Sequence, residues 1–202
     1  MKDIAKFAGT TLLVLLTLTL VSLVFIQSFM GDYDWLNLTL TAVYTLATLA
    51  ALFYDGLQRG TQDCKYAALM EKQVQERGHV LSETEKQRMY RPVKGWAAAF
   101  LSMSPLFILA VIAIAFGGNQ PILLTLIVRV AMSAVLGVFQ YVEALLPWFY
   151  IAVPLVFAVC VGAGYACGPK MWARQVKMME KAKRDKRRRV SRRRRKKAPK
   201  PQ

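Results

Sequence analysis

The sequence predicts an all-α membrane protein with four transmembrane helices and a polybasic C-terminal tail. Three observations carry that expectation. Residues 7–30, 35–54, 96–116 and 148–168 are uncharged and predominantly apolar, and about 20 such residues suffice for a helix to cross a hydrocarbon core. Lys and Arg are distributed with a strong bias: 17 of the 28 lie in residues 169–202, opposed there only by Glu180 and Asp185. Aromatic residues mark the ends of the spans, with Tyr33, Trp35, Trp148 and Tyr150 at one boundary and Tyr54, Trp96 and Trp172 at the other.

The first unit is a transmembrane hairpin, residues 1–54. Its first span has too long an apolar run for a cleaved secretory signal and reads as a retained signal anchor. Lys2 and Lys6 precede it, and the connecting turn 31–34 holds only Asp32 and Asp34. The loop 55–95 then carries eight basic residues, the segment 117–147 only Arg129, and the tail 17. Alternating sides along the chain collects 27 basic residues on one face, so the positive-inside bias predicts cytoplasmic N- and C-termini in a plasma (inner) membrane.

The loop 55–95 is expected to fold as a cytoplasmic helical hairpin. Thr61 can cap a helix running to Arg77, where Gly78 stops it. Ser82 with Glu85 three residues on is a capping box for a second short helix, ending near Arg91 and Pro92. Eight basic against six acidic residues make it a poor second polyanion site; it serves as a spacer on the inner face or docks a partner protein.

The second transmembrane pair, residues 96–168, encloses an outer amphipathic segment at 121–147. Thr125, Arg129, Ser133, Gly137, Gln140 and Glu143 fall within an arc of about 120° on a helical projection. Crossing the bilayer here would put the tail outside, so the segment is expected to be interfacial or re-entrant. The second span carries its own polar stripe, including Asn37, Thr41, Tyr44, Thr45 and Thr48. Together, Arg129, Glu143, Thr41, Thr45 and Thr48 form a candidate polar path. In the plainer reading, Arg129 snorkels to the headgroups or pairs with Glu143, and the Thr hydroxyls bond their own helix or a neighbour. On the last span Gly162, Gly164 and Gly168 stand in small-residue rows that let backbones approach, within the chain or in a homo-oligomer.

The tail, 169–202, begins with a helical pattern to about Asp185. Beyond it Lys186, Arg187, Arg188, Arg189, Arg192, Arg193, Arg194, Arg195, Lys196 and Lys197 supply ten charges in twelve positions. Such a block repels itself and is expected to be disordered until a polyanion arrives. Anionic lipid headgroups, ribosomal or other RNA, and acidic protein partners are the candidates. No aromatic residue follows Trp172, which argues against base stacking.

An enzyme is the least supported class. No phosphate-binding glycine loop or nucleophile elbow is present. One histidine, His79, and three cysteines form neither a zinc set nor a disulfide framework, so no metal or cofactor is expected. Two functions remain: a membrane adaptor or accessory subunit working through its cationic tail, and a small oligomeric transporter or channel component working through the polar path.

Overall fold

The computed structural model describes residues 2–29, 34–78, 80–116 and 146–197. These form α1 (Lys2–Phe29), α2 (Asp34–Arg77), α3 (Glu83–Arg88), α4 (Pro92–Phe116) and α5 (Leu146–Lys197). Four of the five, all but α3, are long and apolar enough to cross a membrane. The outer segment 121–147 lies almost wholly outside the described residues; its last two positions open α5.

The four long helices pack as a bundle in the cyclic order α1, α2, α5, α4. The most extensive contact joins α2 to α5. Thr11 meets Asp55 while Tyr44 meets Leu18, so α1 and α2 are antiparallel. Gly56 and Gly60 meet Val161 and Tyr165 in ascending order, so α2 and α5 run parallel.

The outward and inward faces are sorted as lipid would sort them. Leu13, Leu20, Val43, Leu46, Ile108 and Val111 are exposed, whereas Thr11, Thr19, Ser22, Thr41, Thr48 and Ser102 are buried. Against hydrocarbon, large apolar side chains on the outside incur no penalty, and small hydroxyls inside can bond backbone carbonyls. Thr19 Oγ1 donates to Leu16 O at 2.8 Å and Ser102 Oγ to Ala99 O at 2.7 Å. Pro105 deprives the Leu101 carbonyl of its helical donor, and the Ser104 hydroxyl donates to it instead, at 2.7 Å.

Three expectations need correction. The second span and the first loop helix are one helix of 44 residues, not a span followed by a capped hairpin arm. Thr61 is no cap: inside α2 its Oγ1 donates to Leu57 O at 2.7 Å. Nothing in 55–60 breaks the helix except Gly56 and Gly60, and their propensity cost of about 1 kcal/mol each is offset by direct backbone packing on α5. At the far end Gly78 behaves as expected. Its φ of 62° is the left-handed conformation, and its N–H donates to Val74 O at 3.0 Å.

The second correction concerns α3. The capping box is present, with Glu85 N–H donating to Ser82 Oγ and Ser82 N–H to Glu85 Oε2. The Lys86 ammonium, bonded to Glu83 at 2.9 Å, holds that carboxyl below its ordinary range. Yet α3 stops at Arg88, and Pro92 opens α4, because proline at the first helical position lacks only an N–H that would be unbonded anyway.

The third concerns the tail, for which the run of like charges beyond Asp185 predicts disorder. Instead α5 continues to Lys197 and is 52 residues long, about 78 Å at 1.5 Å per residue. Arg and Lys are strong helix formers, and at a helix C-terminus their charge complements the macrodipole. Both effects favour the helix against the mutual repulsion of the block.

Candidate functional site

The root of the basic extension is the best-defined polar site among the described residues. Four helices converge there. Tyr165 of α5 is completely buried. Its hydroxyl donates to Asp63 Oδ2 of α2 at 2.7 Å. Lys94, in the first turn of α4 and 9 % exposed, donates to the same oxygen at 2.7 Å and to Arg88 O at 3.4 Å. The Tyr165 ring stacks on Tyr90, with centroids 5.1 Å apart and planes 11° apart, and lies 5.8 Å from the Phe7 ring of α1. Gly95 makes the space for that ring: a Cβ there would stand 2.1 Å from Tyr165 Cδ1.

Phe7 links this knot to a second one. The Arg59 guanidinium lies 4.8 Å from the Phe7 ring centroid and bonds Asp55 at 3.2 Å, while Thr11 donates to Asp55 Oδ2 at 2.8 Å. Asp55 is therefore neutralised by Arg59 and oriented by α1. Asp3 and Arg88, 3.9 Å apart, add a looser tie. The N-terminus, the 55–95 segment and the start of the tail thus share one end of the bundle.

Below the knot the helices are fixed by glycine. Gly164 sits against Phe53 O, Gly168 against Gly60 Cα, and Gly56 against Val161 O; a Cβ at any of them would come within 2.4 Å of backbone. Pro169 leaves Tyr165 O without its helical donor, and Gly60 packs against that carbonyl so closely that a Cβ there would stand 2.4 Å from it. Gly162 instead meets the Trp96 ring of α4. All three expected packing glycines therefore act within the chain.

The ten basic positions 186–197 lie on α5 past this root, and Lys186, Arg187 and Arg188 are exposed. Trp172 and Val176 are half-buried, whereas Met178 and Met179 are exposed. Of the candidate polar path, Thr41 and Thr48 are buried and Thr45 donates to Thr41 O at 2.8 Å. The Tyr44 hydroxyl donates to Leu18 O on α1, close to Thr48. Ser22 Oγ and Thr48 Oγ1 are buried without a well-aligned hydrogen bond. Arg129 and Glu143 lie outside the described residues. Cys64, beside Asp63, is pushed up to about 11 by burial first and then by the neighbouring carboxylate.

Asp63, Lys94, Tyr165, Gly56 and Gly60 were not singled out by sequence reasoning. The signal for the glycines was present as Gly-x-x-x-Gly at 56–60, facing the matching pair 164–168. The Asp63–Lys94 pair had no such signal, since the surrounding loop offers eight cations and six anions. No protein-family model, curated protein or solved structure matches this chain.

Proposed function

We propose that the protein is an integral membrane adaptor or accessory subunit that carries a polycationic helix on the cytoplasmic side and uses it to bind a polyanion. The supporting observation is the continuity of α5. One helix contains both the last span and the basic block, and its root is clamped by Asp63, Lys94 and Tyr90. A force or a partner acting on the block is thereby connected to the bundle. The charge bias of the loops supports cytoplasmic termini, because 27 basic residues then share the inner face. Four helices anchor the chain without help from the tail, so 17 cations exceed what anchoring requires.

The test compares full-length protein with a deletion of 186–202, both in neutral-lipid nanodiscs, for capture of labelled RNA and of anionic vesicles. The deletion should keep its helical content and lose both partners. Equal capture by the two proteins would refute the reading.

A second reading is favoured by the buried hydroxyls of Ser22, Thr41 and Thr48 at the α1–α2 seam. In it the chain is a subunit of a small transporter or channel. Arg129→Ala should then alter solute flux in reconstituted vesicles and deletion of 186–202 should not; unchanged flux in the Arg129 variant counts against it.

A further inference from the structure

We infer that the polyanion taken by the tail is the phosphate backbone of a folded nucleic acid approaching from the water, and not the headgroups of the membrane that the chain itself spans. This deepens the tail-binding reading above and depends on it. The first ground is reach. Gly168 still touches Gly60 at the root. Along the helix axis from Gly168, Lys186 stands about 27 Å away and Lys197 about 44 Å, at 1.5 Å per residue. Attraction to an anionic bilayer surface decays over a Debye length of about 8 Å at physiological salt. A basic block held upright is out of range of its own headgroups.

The second ground is what holds it upright. Beyond the root α2 continues alongside α5 in parallel, and Asp63, Tyr66, Ala67 and Met70 on one helix and Trp172 and Val176 on the other are partly buried. That bracing reaches Met70 and Val176; residues 71–76 and 177–188 are exposed, so α5 carries the last stretch to the basic block as a single continuous helix.

The third ground is angular. At 100° per residue, positions 170–185 have an arc of about 160° containing Met171, Trp172, Val176, Met178 and Met179, with Lys183 the one charge inside it and the other charges opposite. Positions 186–197 have no such division, because the ten cations are spread around the full circle. A flat bilayer contacts one face of a helix and leaves the other charges in water. A groove bounded by two phosphate strands contacts both flanks. Seven of the ten are Arg, whose planar fork bonds phosphate in two places. With no aromatic residue after Trp172, stacking on single-stranded bases has no platform. The binding is therefore to backbone, without reading sequence.

The experiment uses full-length protein in two nanodiscs, one of neutral lipid and one with anionic lipid, and three probes. The probes are an RNA stem-loop with an internal bulge, a DNA duplex of equal length, and free anionic vesicles. The expected result is RNA or DNA binding of similar strength in both discs, falling by about 10³-fold or more between 50 and 200 mM salt, as for six or more phosphate contacts. The two nucleic-acid probes distinguish which duplex geometry fits. An Ala182→Pro variant, able to bend toward its own bilayer, should lose nucleic-acid binding in the anionic disc and keep it in the neutral one. If anionic lipid in the disc abolishes nucleic-acid binding by the unaltered chain, while free vesicles are still captured from the neutral disc, the inference fails and polyanion binding stands. If no probe binds in either disc, both fail.

Discussion

Lys94 is the residue on which the root depends most. Its ammonium and the Asp63 carboxylate are both largely withdrawn from water, with 9 % and 22 % exposure. Removing one charge leaves the other without compensation. Lys94→Met is expected to destabilise the protein by about 3 kcal/mol, and pairing it with Asp63→Asn should recover part of that loss. Thermal unfolding in detergent measures both; a single variant no less stable than the double would contradict the pairing. Thr48 behaves oppositely. Its buried hydroxyl lacks a well-aligned bond, and a polar group without its bond is costly to bury. Thr48→Val should leave stability unchanged or raise it, and a loss above about 1 kcal/mol would show that the hydroxyl has a partner. Cys64 remains a thiol at neutral pH because burial and Asp63 disfavour the thiolate, which forms only toward pH 11. Since the thiolate is the reactive form, maleimide labelling of Cys64 at pH 8 should be slow and should accelerate as pH rises. Rapid labelling at pH 7 would contradict that environment.

At the scale of elements, α2 and α5 are joined by glycine. A Cβ at Gly60 would lie 2.4 Å from Tyr165 O and at Gly164 2.1 Å from Phe53 O, and backbone cannot step aside as a side chain can. Gly60→Ala and Gly164→Ala are therefore expected to destabilise, while Gly9→Ala, which meets nothing within 4 Å, should stabilise by up to about 1 kcal/mol through helix propensity. Unfolding of the three variants side by side checks the contrast; equal effects would contradict the close packing. Much of this was legible beforehand. The four spans follow from length and polarity, and Gly78 and the Ser82–Glu85 box sit where their chemistry requires. Helix ends that depend on tertiary contact were not legible. Thr61 resembles a cap in isolation, and only the fit of Gly56 and Gly60 against α5 shows why the helix runs through. In the tail, repulsion and helix propensity oppose each other over 186–197, and composition alone does not say which prevails.

For the whole molecule, a bundle of four helices long and apolar enough to cross a membrane ends in a clamp, beyond which α5 continues with its cations concentrated toward its C-terminal end. The adaptor reading, and the nucleic-acid inference built on it, require that tip to be on the inner side. The most direct measurement is the accessibility of position 191. Ser191→Cys is introduced in a background with Cys64, Cys160 and Cys167 replaced by Ala, and labelled with a membrane-impermeant maleimide. The account predicts no labelling in intact cells and strong labelling in inverted vesicles; labelling from outside intact cells would contradict it.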